Sequence, residues 1–291
     1  MNISIADIVI PFLVLGLLGA GFAMLLSVSY RLLSVKGDPK LELFMSILPG
    51  ANCGACGCAG CLGFAETLVK GTAEPTGCLA GGPAVTARLA AAMGISVKDQ
   101  AELVAFVACR AGRKIAKMKY NYVGVDNCQA ANLLFGGDKC CDYGCLGLGS
   151  CVRVCPFDAI TITKEGLAIV DSAKCRSCQK CVKACPRKLI SMVPKNQTVL
   201  IACKNLDKGK KAKEVCSIAC IACRICEKNC PAKAITVVNN LAVIDYAKCT
   251  RCGVCIEKCP QKSILLLPGE AHATPSPRVF GHTEKVLQIA K

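Results

Sequence analysis

The chain has 291 residues, of which 26 are Cys, and it has no Trp and only 4% aromatic residues. The cysteines stand in bunches, two or three residues apart, which is the spacing of metal ligands. This spacing excludes a disulfide framework, because closing such short loops removes little chain entropy. The formal net charge of +16 by itself is compatible with an acidic partner or with nucleic acid.

The first predicted element is a membrane-spanning helix. Ile8–Tyr30 contains 23 consecutive positions without a charge, and a helix of that length is roughly 34 Å long, enough to cross the hydrocarbon core. Asp7 precedes this run, and the residues that follow it are basic, namely Arg31, Lys36 and Lys40. A secretory signal peptide has the reverse order of charges, and the positive-inside rule places the rest of the chain in the cytoplasm. We therefore predict a retained single-pass anchor over residues 1–35.

Residues 36–95 contain the first predicted cluster site. Its four cysteines have the spacing C-x2-C-x4-C-x16-C and are Cys53, Cys56, Cys61 and Cys78. Glycines between the first three let the backbone turn its N–H groups toward sulphur. Three ligands in a tight loop with a fourth from a later segment can hold a cuboidal [4Fe–4S] cluster, and a four-Cys zinc site is the alternative. Cys58 is an extra thiol in this loop, and its role stays open.

A long repeat occupies the second half of the chain. Cysteines recur at distances of 75 and 74 residues: Cys141, Cys145, Cys151 and Cys155 as Cys216, Cys220, Cys226 and Cys230, and Cys175, Cys178, Cys181 and Cys185 as Cys249, Cys252, Cys255 and Cys259. Such self-similarity predicts two tandem modules, at 136–196 and 197–268. A bridging segment at 96–135 precedes them, and a flexible tail at 269–291 follows.

Each module contains the motif C-x2-C-x2-C-x3-C-P of bacterial two-cluster ferredoxins, in which the fourth Cys of a run ligates the cluster of the other run. The motif predicts four further ligand sets: Cys141, Cys145, Cys151 with Cys185; Cys175, Cys178, Cys181 with Cys155; Cys220, Cys223, Cys226 with Cys259; and Cys249, Cys252, Cys255 with Cys230. Alternating apolar stretches interrupted at Glu165-Gly166 and at Asn239-Asn240 predict a short β-hairpin in each module.

One run departs from the motif, because Leu148 stands where the second module has Cys223. Cys140 is therefore an alternative to Cys141 as a ligand. Several thiols outside the five sets are either small buried apolar side chains or ligands of a sixth cluster, which would be drawn from Cys109, Cys128, Cys140, Cys203 and Cys216.

These elements predict an α+β fold with a single N-terminal transmembrane helix, a small [4Fe–4S] domain and two tandem bacterial-type 2[4Fe–4S] ferredoxin-like modules. An oxidised cluster with its four thiolates contributes about −2, so five clusters would lower the net charge to about +6 and remove the main reason to expect nucleic acid. The sequence has no Gly-rich nucleotide fingerprint. We therefore expect no catalytic residue on this chain and no bound NAD or flavin.

Taken in order, the anchor, "NCGACGCAGC", "CDYGCLGLGSC" and the ferredoxin runs resemble the B subunit of the Rnf complex, over residues 1 to about 268. The resemblance implies an electron-transfer subunit of a membrane-bound, ion-translocating ferredoxin:NAD oxidoreductase, in a longer form with a second ferredoxin module. It also implies [4Fe–4S] cofactors and, as partners, soluble reduced ferredoxin, membrane and flavin- or NAD-binding subunits, and membrane lipid. The coupling ion, Na⁺ or H⁺, stays open.

Basic residues between the ligands either dock an acidic ferredoxin or only solvate the surface; they are Arg176, Lys180, Lys183, Arg187, Lys248, Arg251, Lys258 and Lys262. Two other functions also stay open at this stage. One is an electron-transfer subunit of a different membrane oxidoreductase, such as a hydrogenase-type complex. The other is a cluster-based redox sensor.

Overall fold

A computed structural model describes residues 5–33, 38–97 and 101–267. The chain divides into two compact units, Met1–Leu43 and Phe44–Lys291. The predicted flexible tail, 269–291, lies outside the described residues, as do Lys36 and the predicted end of the anchor at residue 35.

The first unit contains helix α1 (Ile5–Leu33), which has 29 residues and is therefore about 44 Å long. Its segment Phe12–Leu32 has a mean hydropathy of 2.2, and none of its residues is buried. A long apolar helix that exposes its side chains in this way is suited to a lipid environment. The described residues thus contain one helix that is long and apolar enough to cross a membrane, as predicted.

The second unit begins with a small helical region. Its elements are α2 (Pro39–Ile47), α3 (Gly60–Val69), two 3₁₀ turns (Pro75–Gly77 and Leu79–Gly81) and α4 (Gly82–Met93). Phe44, Phe64, Leu68 and Leu89 are buried here and supply the apolar core. Helix α4 ends at Gly94, whose left-handed backbone (φ +68°) ends the helix without the strain that a side chain would add.

The remainder of the described chain is built from four two-stranded antiparallel sheets and short helices. The strand pairs are β1 (Leu103–Val107) with β4 (Ile190–Pro194), β2 (Ile160–Ile162) with β3 (Ala168–Val170), β5 (Val199–Ile201) with β8 (Ile264–Leu266), and β6 (Ile235–Val238) with β7 (Leu241–Ile244). The helices are α5 (Cys128–Leu133), α6 (Ser150–Arg153), α7 (Lys180–Ala184), α8 (Gly209–Val215), α9 (Ile225–Lys228) and α10 (Val254–Glu257).

Both predicted hairpins are confirmed as β2–β3 and β6–β7. In the second hairpin the turn residues Asn239 and Asn240 have φ values of +49° and +63°. Two positive φ angles in a row give the turn a twist that matches that of the flanking strands, and Asn tolerates them better than most residues do. Gly166 has the same role in the first hairpin, with φ +70°.

Strand β1 lies in the predicted bridging segment but pairs with β4 at the end of the first module, in the register Leu103↔Pro194 to Val107↔Ile190. Strand β5 pairs with β8 in the same way at the end of the second module. The two halves therefore share a hairpin and a closing strand pair. In each half the core consists of short aliphatic side chains together with the cysteine thiols.

Candidate metal centres

Site 1 is a cavity formed by the loop before α3, the first turn of α3 and the 3₁₀ turns. Its thiols are the four predicted for the N-terminal domain, Cys53, Cys56, Cys61 and Cys78. Asn52 holds the loop closed, because its Oδ1 accepts a hydrogen bond of 2.8 Å from the backbone N–H of Cys61. Burial raises the pKa of the Cys78 thiol, and the nearby thiolates of Cys61, Cys53 and Cys56 raise it further. Cys58 is not among the residues that line this cavity; its Sγ lies 3.9 Å from Thr67 Oγ1.

Site 2 lies in the first module and is lined by a second predicted set, Cys155, Cys175, Cys178 and Cys181. Three of these thiols come from the run that leads into α7, and the fourth follows α6. Burial raises the pKa of Cys181 to about 12, and the neighbouring thiolates of Cys175 and Cys178 add to the rise.

Site 3 differs from the prediction in one ligand. The structure brings Cys145, Cys151 and Cys185 around one cavity together with Cys128, whereas Cys141 lines a different cavity. The start of α5 explains this difference. The backbone N–H of Cys128 donates to Ser150 Oγ (2.9 Å), and Ser150 Oγ lies 3.2 Å from Asn127 Oδ1, which ties α5 to the start of α6 beside Cys151.

Site 4 lies between the two modules and was predicted only in part. Its cavity is lined by Cys109, Cys141, Cys203 and Cys216. Three of these thiols were candidates for a sixth cluster, and the fourth is Cys141 rather than Cys140. Cys109 follows β1 closely and Cys203 follows β5 closely, so the equivalent strands of the two halves deliver equivalent thiols to the same place. The matching words "FVACR" and "LIACK" were the sequence signal for this pair.

Backbone and side-chain N–H groups donate to the sulphurs of site 4. Cys145 N donates to Cys109 Sγ (3.4 Å) and Cys220 N to Cys203 Sγ (3.3 Å). Asn205 donates twice, from its backbone N to Cys203 Sγ and from Nδ2 to Cys141 Sγ, each at 3.5 Å. Burial raises the pKa of Cys203 to about 12 and that of Cys141 to about 11, and N–H donors oppose the rise in both cases.

Sites 5 and 6 lie in the second module and contain the two remaining predicted sets. Site 5 is lined by Cys220, Cys223, Cys226 and Cys259. In site 6, burial raises the pKa of Cys255 to about 11, and the nearby thiolates of Cys249 and Cys252 add to it. Cys230 packs in the same core, and Gln197 Nε2 donates to Cys249 Sγ at 3.4 Å.

The six sites lie in series. Besides burial, a thiolate of the neighbouring site raises the pKa of one cysteine at each step: Cys53 acts on Cys178, Cys151 on Cys181, Cys109 on Cys145, Cys220 on Cys203, and Cys226 on Cys255. These contacts connect site 1 to site 2, site 2 to site 3, and so on to site 6. Site 4 therefore joins the first module to the second.

The donor sets suit a cuboidal cluster better than a single ion. The cavities of sites 1 to 5 enclose similar volumes, from 320 to 370 Å³. In the described part of the chain, no group of three or more His, Cys, Asp or Glu is placed to hold one metal ion. Tetrahedral zinc requires four sulphurs about 2.3 Å from one centre, whereas soft thiolates spread around an apolar cavity match an iron–sulphur core.

Two family models match the chain. A model for an Fe-S cluster domain (FeS) matches residues 48–80, which include all of site 1. A model for a 4Fe-4S dicluster domain (Fer4_9) matches residues 219–264, which include sites 5 and 6. The fold, the thiol sets and these matches define an iron–sulphur electron-transfer protein.

Relatives are similar over most of the chain, and each is the B subunit of an oxidoreductase complex. The chain is 45% identical over 242 residues to that of the Na(+)-translocating ferredoxin:NAD(+) oxidoreductase complex of Acetobacterium woodii, a match that covers 83% of this chain and 73% of that protein. It is 41% identical over 235 residues to that of the ion-translocating oxidoreductase complex of Methanosarcina acetivorans, covering 80% and 89%. It is 37% identical over 243 residues to that of the proton-translocating ferredoxin:NAD(+) oxidoreductase complex of Clostridium ljungdahlii, covering 83% and 86%. The chain belongs to this family of B subunits.

Proposed function

We propose that this chain receives electrons from soluble reduced ferredoxin and passes them through six centres to the membrane and flavin- or NAD-binding subunits of an ion-translocating ferredoxin:NAD oxidoreductase complex. A bound [4Fe–4S] cluster supplies the electron-transfer chemistry, because it accepts and releases one electron without a change of ligands. The observation on which the proposal rests is the serial order of the six thiol sets. Each set is adjacent to the next, so every transfer step is short.

The proposed ligands follow the cavities. Sites 1, 2, 5 and 6 keep the sets predicted from the motifs, and site 3 takes Cys128 in place of Cys141. Cys141 instead joins site 4 with Cys109, Cys203 and Cys216, which brings the proposed number of clusters from five to six. Without site 4, the first and second modules would have no centre between them. Cys58 and Cys140 remain outside all six sets.

The two ferredoxin-like modules are proposed to run from strand to strand. The first contains β1 to β4 and the second contains β5 to β8, so β1, in the predicted bridging segment, belongs to the first module. Antiparallel pairing closes each module in the same way. The period of the repeat supports two modules of the same construction.

Electrons are proposed to enter at the second module. Of all the cysteines, Cys223 of site 5 and Cys252 of site 6 are the two that are exposed. Exposed cations surround them, and the side chains of Arg224 and Lys248 are 62% and 67% exposed; the others are Lys228, Lys233, Arg251, Lys258 and Lys262. Positive charge around an accessible centre steers an acidic ferredoxin to it and fixes its orientation.

Helix α1 is proposed to anchor the chain in lipid with residues 34–291 in the cytoplasm. The support is the charge order around the helix, with Arg31 in its last turn. A reducing compartment also keeps 26 free thiols from forming disulfides.

The test is anaerobic purification of the full chain, followed by iron and acid-labile sulphide analysis and by reduction with ferredoxin. We expect about 24 iron atoms per chain and a matching amount of sulphide, because six [4Fe–4S] clusters hold that number. Reduced ferredoxin is expected to bleach the visible absorbance and to produce EPR signals of reduced clusters. Zinc or disulfides in place of iron, or a loaded chain that ferredoxin does not reduce, would contradict the proposal.

A further inference from the structure

Lys139 is a buried cation without a carboxylate partner. Its side chain is fully buried, with 0% exposure, and its Nζ donates a hydrogen bond of 2.9 Å to the carbonyl oxygen of Ala111. No ion pair involves Lys139 within the described ranges 38–97 and 101–267. The adjacent carboxylate of Asp138 is directed elsewhere, since its Oδ2 lies 3.4 Å from Arg113 Nη2. Burying an ammonium group without a nearby negative charge is strongly unfavourable.

The negative charge near Lys139 comes from two thiol sets. Burial raises the pKa of Cys145 in site 3 and of Cys216 in site 4, and in both cases the ammonium group of Lys139 acts in the opposite direction. Ala111, which accepts its hydrogen bond, also lines the cavity of site 4. Lys139 is therefore held beside two neighbouring centres at once.

We propose that Lys139 is a fixed counter-charge shared by sites 3 and 4 and that it raises the reduction potentials of both centres. The inference rests on the proposed function, because it requires a cluster at each site. A reduced cluster carries one more negative charge than an oxidised one, so a nearby cation stabilises the reduced form more. Burial removes the water that would otherwise screen the interaction.

Asn205 adds a contribution to site 4 alone. Its side chain is 1% exposed, and both of its N–H donors reach sulphurs of that site, Cys141 and Cys203. Hydrogen bonds to cluster sulphurs raise the reduction potential. Lys139 and Asn205 together make site 4 more easily reduced than site 3, so an electron that crosses between the modules is stabilised at their junction.

The test is an EPR-monitored redox titration of the full chain at one pH, with iron measured for every variant. In Lys139→Met we expect two of the titrating components to shift to lower potential. Lys139→Arg, which keeps the charge, leaves both near their original positions. Asn205→Leu shifts one of these two components and leaves the other in place. The matched control is Lys117→Gln, which removes a charge from an exposed side chain of the neighbouring segment and moves no component.

The outcomes separate this inference from the proposed function. It is overturned if Lys139→Met moves no component, or if Lys117→Gln moves the same two. Should Lys139→Met lose iron, Lys139→Arg decides: retained iron supports a required charge, and equal loss contradicts it. A wild-type chain with about 20 rather than 24 iron atoms would instead remove site 4 from the proposed function, independently of any shift.

Discussion

At the scale of the residue, Cys128 and Cys141 show how small contacts decide which thiol serves which centre. Both are separated from the regular motif, and neither spacing identifies its partners. The hydrogen bond from Cys128 N to Ser150 Oγ fixes the first turn of α5 beside Cys151. Arg187 Nη1 donates to the carbonyl oxygen of Cys141 at 2.7 Å, and Asn205 donates to its sulphur. These contacts hold Cys141 in site 4.

Single alanine substitutions test this assignment. We expect Cys128→Ala and Cys141→Ala each to lose about four iron atoms per chain, because each removes one ligand of a different [4Fe–4S] cluster. Their EPR spectra should lack different components. Cys140→Ala and Cys58→Ala are the matched controls and should keep the full iron content. If Cys128→Ala retains all its iron, or if both ligand variants lose the same component, the assignment is contradicted.

At the scale of the element, the loop between Cys145 and Cys151 depends on two glycines with the same backbone. Gly147 and Gly149 both have φ +73°. A Cβ on Gly147 would lie 2.3 Å from the carbonyl oxygen of Gly166 in the hairpin turn, whereas the nearest atom to a Cβ on Gly149 would be 3.6 Å away. The first glycine thus permits the loop to pack against the β2–β3 turn.

The two glycines give a matched pair for a stability measurement. Both Gly147→Ala and Gly149→Ala place a side chain in the left-handed region, at a cost of about 1–2 kcal/mol. Gly147→Ala also forces two backbone segments apart, so its melting temperature under anaerobic conditions should fall well below that of Gly149→Ala. We also expect it to lose iron selectively from site 3. Equal melting temperatures for the two variants would show that the close approach to Gly166 has no energetic importance.

The elements also show why sequence reasoning succeeded in some places and failed in others. Hairpins β2–β3 and β6–β7 could be predicted, because a turn pair such as Asn239-Asn240 lies between alternating apolar stretches that are adjacent in sequence. The pairing of β1 with β4 joins residues almost ninety positions apart in the numbering, such as Leu103 and Pro194. No local pattern specifies such a partner, since it depends on the packing of the whole module.

At the scale of the molecule, the six sites form one series, and site 4 is the position that sequence patterns identify least well. The bunched runs contain most of their own ligands, so a spacing rule identifies them. Site 4 takes single thiols from four separated segments, and only the folded chain brings them together. The repeat nonetheless leaves a trace there, because Cys109 and Cys203 occupy equivalent positions after β1 and β5.

The series implies that removal of site 4 divides the conductor into two parts. With entry at the second module, sites 5 and 6 remain accessible to ferredoxin, while sites 1 to 3 can be reached only through site 4. Substituting Cys203 by Ala removes a site 4 ligand and leaves the predicted ligands of the other sites unchanged. The matched control is Cys58→Ala, whose thiol lies outside all six sets.

Rapid mixing of the anaerobic full-length chain with excess reduced ferredoxin is the most direct measurement of the series. We predict that the wild type and Cys58→Ala take up about six electrons per chain in the fast phase, one for each [4Fe–4S] cluster. In Cys203→Ala the fast phase should fall to about two electrons, and the remaining clusters should be reduced much more slowly. A fast phase in Cys203→Ala that reaches all the remaining clusters would contradict a continuous path through the junction of the two modules.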